Sequence, residues 1–230
     1  MNNFDLHTPT RILFGKGAIE KLREQIPAEA RVLITYGGGS VKKTGVLDQV
    51  LTALNGLDVL EFGGIEPNPS YETLMNAVKL AREEKVPFLL AVGGGSVLDG
   101  TKFIAAAAHY DADIDPWEIL ETYGSKIASA IPMGSVLTLP ATGSESNKGA
   151  VISRKTTGDK RAFMSSHVQP QFAILDPVYT YTLPPRQVAN GVVDAFVHTL
   201  EQYVTYPVDG KIQDRFAEGI LLTLIEDGPK

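Results

Sequence analysis

The stretch that most constrains the fold is residues 88–102, where an apolar run passes through three glycines into a helix-forming segment. Phe88 to Val92 is typical of a buried strand, and the alanine-rich segment from Phe103 to Ala108 predicts a helix. Glycine lets the backbone approach a ligand closely, and free N–H groups in the first turn of a helix attract anions. Gly93 to Ser96 therefore predict a phosphate-binding turn. The alternative is a tight turn that uses glycine only for its geometry, because the spaced G-x-G-x-x-G motif is absent.

A second unit of the same kind precedes the first. The apolar run Arg31 to Tyr36 leads into Gly37-Gly38-Gly39-Ser40, and a helical pattern begins at about Val46. A third loop, Pro140 to Asn147, is rich in hydroxyl groups and follows a strand predicted for Ile131 to Leu139. Strands that alternate with helices predict an α/β fold with a parallel sheet covered on both faces. Ligands of such sheets bind outside the carboxyl ends of the strands, so we expect the three loops to share one crevice.

The pattern changes near residue 180. From Pro184 onward the sequence predicts helix almost throughout, with one helix from Arg186 to Thr205 and another from Lys211 to Glu226. We therefore expect an α/β dinucleotide-binding domain over residues 1–180 and the start of a helical domain over residues 181–230. Two helices have little to pack against, so we expect the helical domain to be incomplete.

Composition excludes several classes of function. Lys and Arg number 21 and Asp and Glu 27, which gives a net charge of −6, and no basic cluster exceeds a pair such as Lys42-Lys43. This argues against nucleic acid or an anionic membrane as the main partner. No apolar run approaches the about 18 residues of a membrane span, and the N-terminus lacks signal-peptide features, which predicts a cytoplasmic protein. The chain has no cysteine, so any metal must be held by histidine and carboxylate.

Asp194 and His198 are the candidate metal ligands that spacing alone indicates. They are four residues apart on the predicted helix, so both side chains project from one face. The alternative is a solvated face, because Asn190 and Gln202 extend the same polar line at the same spacing.

The second glycine turn bears on the choice of cofactor. In a dinucleotide-binding sheet Gly38, Gly39 and Ser40 would meet the adenosine ribose, where NAD sites usually carry an acid. The chain has no acid between Tyr36 and Thr44 but has Lys42 and Lys43, which favours the 2′-phosphate of NADP. Two surface lysines that only begin a helix are the alternative. By its position in the polar run of residues 155–161, Lys160 is typical of an ordinary solvated lysine on a turn.

Four motifs occur in a fixed order: AVGGGSVLDGTK, LPATGSESN, AILDPVYTYTLPP and GVVDAFVHTLEQYV. Together they resemble the iron-dependent (group III) alcohol dehydrogenases, and the nearest branch is that of the NADPH-dependent butanol dehydrogenase-like aldehyde reductases of broad specificity. The resemblance runs along essentially the whole chain. It implies a Rossmann-like cofactor domain, a helical domain, NADP(H), a divalent zinc or iron ion, and hydride transfer between aldehydes and primary alcohols with reduction favoured. It also implies a small-molecule substrate, and we expect a homodimer.

The resemblance also implies roles for particular residues. The pyrophosphate would be bound by Gly94, Gly95 and Ser96, and the adenosine end by Gly38 and Ser40. The remaining implied cofactor residues are Asn68, Asp99, Thr138, Thr142, Asn147 and Lys160, of which Lys160 would reach the ribose. Asp194 and His198 match the first two metal ligands of the family.

The sequence departs from the family's pattern in its helical part. Family members continue further and supply two more histidine ligands, whereas no histidine follows His198 here. A catalytic zinc site normally has three protein ligands. We therefore expect a fragment of a longer enzyme, a site completed by another chain, or a catalytically inactive fragment that binds the cofactor or oligomerises.

Overall fold

The structure is a computed structural model that describes residue 3 and residues 7–205 and 209–230. It divides into two compact units, Met1–Tyr181 and Thr182–Lys230. The strands of the described residues are β1 (Arg11–Phe14), β2 (Val32–Tyr36), β3 (Val59–Phe62), β4 (Phe88–Gly94), β5 (Met133–Leu139), β6 (Gly149–Arg154), β7 (Asp159–Met164) and β8 (Phe172–Leu175). The helices are α1 (Ser40–Lys43), α2 (Val46–Ala53), α3 (Tyr71–Glu83), α4 (Gly95–His109), α5 (Glu118–Glu121), α6 (Pro185–Val204) and α7 (Lys211–Asp227), with 3₁₀ segments at Ala18–Gln25, Ser166–Val168 and Pro177–Thr180.

Six strands of the first unit form one parallel sheet in the order β1-β8-β5-β4-β2-β3. The strands predicted from apolar runs occupy its centre, and every residue of β2 is buried. Buried runs of this kind suit a parallel sheet because both faces are covered. The predicted α/β fold with a Rossmann-like parallel sheet is confirmed.

Each face of the sheet packs against its own hydrophobic cluster. On one face Val32 and Ile34 of β2 join Leu22 of the first 3₁₀ segment and Val50 of α2. On the other face Leu33 of β2 joins residues of α3 and α4. Successive side chains of a strand point to opposite faces, so β2 contributes to both clusters. The sheet is therefore covered on both faces.

A β-hairpin lies outside the main sheet; the sequence predicts a turn in residues 155–161, which could be a hairpin tip, but not its two strands. Strands β6 and β7 pair antiparallel, with Ser153 opposite Lys160. The prediction that Lys160 lies on a turn is wrong, because the turn occupies residues 155–158 and Lys160 lies in β7. Ile152 and Phe163 of the hairpin are fully buried, and the ring of Phe163 lies edge-on to Phe103 of α4. This burial, rather than the local polar sequence, determines the two strands.

The second unit contains α6 and α7. The hydroxyl of Tyr203 donates a hydrogen bond to Glu218 across the two helices, at 3.1 Å. Neither helix contains a buried residue among those described. Throughout the described ranges, the helices are too short or too polar to cross a membrane.

Candidate dinucleotide site

The three predicted loops leave the same edge of the sheet. Tyr36 of β2 lies opposite Val92 of β4, and Val92 lies opposite Val136 of β5. Because these strands are parallel neighbours, the turns at residues 37–40 and 93–96 and the loop of residues 140–148 all follow carboxyl ends at that edge. In doubly wound sheets this is where ligands bind.

The glycine turn after β4 leads directly into helix α4. Gly94 precedes the helix with extended backbone, and no side chain caps the first turn. A Cβ atom on Gly95 would lie 2.5 Å from Oγ1 of Thr142, and one on Gly93 would lie 2.7 Å from Cγ2 of Val97. Close packing within the chain therefore explains these two glycines, while the uncapped N–H groups of α4 suit an anion.

The glycine turn after β2 differs, because the space beside it is open. A Cβ atom on Gly38 would meet nothing within 4 Å, and Gly39 has a φ of 104°. No intrachain contact requires a glycine at residue 38. The open space beside this turn would allow a ligand to approach the backbone closely.

Three predicted cofactor residues come together beside the turn after β4. Nζ of Lys160 donates to Oδ1 of Asn68 at 2.8 Å, and the backbone N–H of Asn68 donates to Oγ of Ser96 at 3.4 Å. Asn68 has a φ of 56°, a left-handed conformation that asparagine tolerates better than most residues. Residues that are 92 positions apart in the chain are thus joined at one point.

Glu66 anchors the loop that carries Asn68. Its Oε1 accepts hydrogen bonds from Nζ of Lys155 and Oγ of Ser70, both at 2.7 Å. Burial alone raises the pKa of Glu66, but hydrogen bonds from Lys155, its own backbone, Ser70 and Thr73 outweigh burial and lower the pKa to about 2. Glu66 is therefore a carboxylate at neutral pH and ties this loop to the β6–β7 hairpin.

A hydrogen-bonded ionic network around the buried Lys102 links α4 to the loop after β5. Oγ of Ser144 donates to Oδ1 of Asp99 at 2.7 Å, and the N–H of Val151 donates to Oδ2 of Asp99 at 2.9 Å. Nζ of Lys102 donates to Oγ of Ser144, Oδ1 of Asn147 and the carbonyl of Gly149. Two predicted cofactor residues, Asp99 and Asn147, thus belong to one network.

The pKa values in this network reflect its burial. Burial lowers the pKa of Lys102 to about 8, and the charges of Asp99 and Glu145 oppose that change. Burial raises the pKa of Asp99, against the hydrogen bonds from Ser144 and Val151 and the charge of Lys102.

The other two predicted residues of the β5 region lie close to the network. Thr142 is exposed and packs against Gly95, and its Oγ1 accepts from the N–H of Ser144 at 3.2 Å. Thr138 is half-buried near the end of β5.

The turn after β2, predicted to meet the adenosine, lies near an acid that the sequence argument overlooked. Ser40 is exposed, and Nζ of Lys42 lies 4.9 Å from the ring centroid of Tyr36 and 3.6 Å from Oε2 of Glu61. The hydroxyl of Tyr36 also donates to Glu61, at 3.0 Å. Glu61 lies in β3, opposite Ile34 of β2, so it is near the turn in space although it is 21 positions after Ser40 in the sequence.

Asp194 and His198 are paired on α6. Nε2 of His198 lies 3.6 Å from Oδ1 of Asp194, and both side chains are exposed. Within the described residues no group of three or more potential ligands could hold a metal ion. Imidazole and carboxylate suit zinc or iron(II), but this pair alone falls short of a catalytic ligand set.

Sequence reasoning missed Lys102 and Ser144. The signal for Lys102 was present, since it is a charged residue inside an alanine-rich helix and three positions after Asp99. Burying its ammonium group without hydrogen-bond acceptors would be strongly unfavourable, which predicts that other parts of the chain supply acceptors. Nothing in the sequence indicated which residues supply them.

A parallel sheet with helices on both faces and glycine turns at its carboxyl edge defines a Rossmann-like α/β unit. The chain belongs to the iron-containing alcohol dehydrogenase family, which residues 9–177 match. It is 86% identical over 230 residues to the protein of Escherichia coli (strain K12) named NADPH-dependent aldehyde reductase YqhD, covering 100% of this chain and 59% of that protein.

Solved structures agree with this assignment. A crystal structure of Escherichia coli K-12 YqhD superposes with a TM-score of 0.97 at 86% identity, covering 99% of this chain and 58% of that one. NADH-dependent butanol dehydrogenase A from Thermotoga maritima superposes with a TM-score of 0.91 at 40% identity, covering 100% of this chain and 57% of that one. The chain thus spans less than two thirds of the length of these relatives.

Proposed function

We propose that this chain is the NADP(H)-binding part of a metal-dependent oxidoreductase that interconverts aldehydes and primary alcohols, with aldehyde reduction favoured. The observation that carries the proposal is the meeting of three loops at one carboxyl edge beside the uncapped start of α4. The 86% identity to a protein named as an NADPH-dependent aldehyde reductase supports the choice of reaction. A cytoplasmic location and a homodimer remain predictions from the sequence.

The residues of the first unit fit a dinucleotide. We assign the pyrophosphate to Gly94, Gly95 and Ser96, where the N–H groups of α4 are uncapped. The ribose and nicotinamide are assigned to the side chains gathered around this turn, namely Asn68, Asp99, Thr138, Thr142, Asn147 and Lys160. In aldehyde reduction the bound cofactor supplies a hydride to the carbonyl carbon, and a proton completes the alcohol. The chain's own part is to hold the cofactor in one orientation.

The adenosine end is assigned to Gly38 and Ser40, with NADPH preferred to NADH. The open space beside Gly38 admits the ribose, and Lys42 supplies a positive charge for the 2′-phosphate. Lys42 also forms an ion pair with Glu61, which partly neutralises its charge. The preference for NADPH therefore depends on whether Lys42 binds the 2′-phosphate rather than Glu61. The relatives differ here, since one is named NADPH-dependent and another NADH-dependent.

Asp194 and His198 are proposed as two ligands of a zinc or iron(II) ion. The remaining ligands are not found among the residues that the structure describes. We therefore assign these two residues to metal binding and derive no catalytic step from them.

The first test is titration of NADPH and of NADH into this chain, followed by nicotinamide fluorescence. We expect binding of both, with NADPH preferred. The matched variant Lys42→Met should weaken NADPH and leave NADH unchanged, because only NADPH carries the 2′-phosphate. Failure of both nucleotides to bind would overturn the proposal.

The reaction is tested separately, as oxidation of NADPH by short aldehydes with added zinc or iron(II). Aldehyde reduction that a chelator abolishes would support the proposed activity. Cofactor binding without reduction at any metal concentration would instead favour an inactive cofactor-binding fragment, which the incomplete ligand set motivates.

A further inference from the structure

Lys102 is the largest charged side chain buried in the described part of the first unit, and each of its three N–H donors makes a hydrogen bond. Its side chain is fully buried, and Nζ lies 2.9 Å from Oγ of Ser144, 2.9 Å from Oδ1 of Asn147 and 2.8 Å from the carbonyl of Gly149. An ammonium group has three N–H bonds, so this geometry satisfies it completely. Burial of an ammonium without such partners would be strongly unfavourable.

The three acceptors lie within six consecutive residues. Residues 140–148, between β5 and β6, form neither helix nor strand, so no backbone ladder holds this segment, which we call the β5–β6 loop. Ser144 and Asn147 lie within it, and Gly149 begins β6. The hydrogen bonds from the ammonium group of Lys102 therefore hold this loop in place, as backbone hydrogen bonds to a neighbouring strand hold a strand.

Helix α4 holds the loop at a second point. Asp99, one turn before Lys102, accepts from Oγ of Ser144 and from the N–H of Val151. Ser144 thus bridges a carboxylate and an ammonium group of the same helix. The first turn of that helix begins at Gly95, against which Thr142 of the loop packs.

We propose that Lys102 is a positioning residue for the dinucleotide: it fixes the β5–β6 loop against the start of α4, so that Thr142 and Asn147 are held where the cofactor binds. The inference rests on the proposed function. Lys102 is fully buried and has all its donors occupied within the chain, so it acts through the loop and not by touching the cofactor.

A purely structural role predicts a different pattern of effects. If Lys102 only filled space in the core, an apolar side chain of similar length would replace it without the desolvation cost of a charge. All three acceptors of Lys102 instead lie in the β5–β6 loop or at the residue that follows it, which indicates that Lys102 holds this loop. The distinguishing readout is therefore the order of the loop and the affinity for cofactor, measured apart from global stability.

The test compares Lys102→Met with the matched control Thr101→Val in the whole chain. Thr101 is the adjacent residue of α4 and is equally buried, but its hydroxyl lies 2.6 Å from Oγ1 of Thr35 in β2 and 2.7 Å from the carbonyl of Val97. It thus faces the sheet and not the loop. The two readouts are the dissociation constant for NADPH and the hydrogen-exchange rates of the loop amides.

We expect Lys102→Met to accelerate exchange of the loop amides and to raise the NADPH dissociation constant, each by about tenfold or more, because charge-assisted hydrogen bonds are lost. Thr101→Val should leave both within about twofold of the unaltered chain, since the two hydrogen bonds that it removes join α4 to Thr35 and to Val97 and none reaches the loop. If Lys102→Met does not fold, Ser144→Ala, which removes only the bridging hydroxyl, gives the same comparison with a smaller expected effect.

Two results would overturn the inference, and only one of them would also overturn the proposed function. NADPH binding by Lys102→Met as tight as that of the unaltered chain would reject the positioning role and leave the proposed function intact. Absence of NADPH binding by the unaltered chain would reject the proposed function and the inference with it.

Discussion

The buried ammonium of Lys102 predicts an unusual dependence of stability on pH. Its pKa is lowered by burial from 10.5 to about 8. In the unfolded chain the lysine keeps its proton up to about pH 10.5, so between about pH 8 and 10.5 the unfolded state binds more protons than the folded state. The free energy of unfolding therefore rises with pH across that window. The sign is opposite to that of a lysine whose pKa is raised by a salt bridge.

The size of the effect follows from the same two pKa values. One pKa unit corresponds to about 1.4 kcal/mol, so the protonated lysine opposes folding by about 3 kcal/mol below pH 8. Integration between about pH 7 and pH 9.5 gives a gain of about 2 kcal/mol in the free energy of unfolding. This gain belongs to Lys102 alone and must disappear when the side chain cannot titrate.

The assay is urea unfolding followed by fluorescence of Trp117, the only tryptophan of the sequence, which is buried in the first unit. Stability is measured at both pH values for the unaltered chain and for Lys102→Met, and the two pH differences are subtracted so that other titrating groups cancel. Lys102→Arg serves as the charged control, because its guanidinium keeps its proton and should show no gain. A subtracted difference near zero, or a negative one, would refute the reasoning.

Four further substitutions test local packing by the same unfolding assay. Gly95→Ala should lower the free energy of unfolding by about 1–3 kcal/mol, since its Cβ would lie 2.5 Å from Oγ1 of Thr142, whereas Gly38→Ala enters open space and should change it by less than about 0.5 kcal/mol. Ser70→Ala should cost about 1–2 kcal/mol, because its hydroxyl caps α3, and an unchanged midpoint would contradict that role. Phe172→Ala should cost about 3–5 kcal/mol through a core cavity; a loss below 1 kcal/mol would show that the core collapses to fill it.

The sheet was predictable because its signal is local. The apolar runs at residues 32–36 and 88–92 predict buried strands, and the glycines that follow each run mark where those strands end. The strands of the β6–β7 hairpin were not predicted, because the second strand begins in the polar segment Lys155 to Arg161, which indicates only a turn. Its strands are determined by the burial of Ile152 and Phe163, which depends on a helix about fifty residues away.

The structure brings several of the predicted site residues together, but their charged neighbours were not predictable from the sequence. The resemblance to a family indicated Asn68, Asp99 and Lys160, and the structure brings each into a network with neighbouring loops. Glu61 was overlooked because its nearness to Lys42 arises from the pairing of β2 with β3. The register of two strands cannot be read from the spacing of residues within either loop.

The glycines show why a motif alone could not establish the phosphate site. Gly93 and Gly95 are explained by Val97 and Thr142, which leave no room for a Cβ atom, so the glycine run after β4 would be required even without a ligand. The stronger indications are that helix α4 begins without a side-chain cap and that Gly38 faces open space although no contact of the chain demands a glycine there. An anion at the first position and a ribose at the second, as proposed above, would account for both observations.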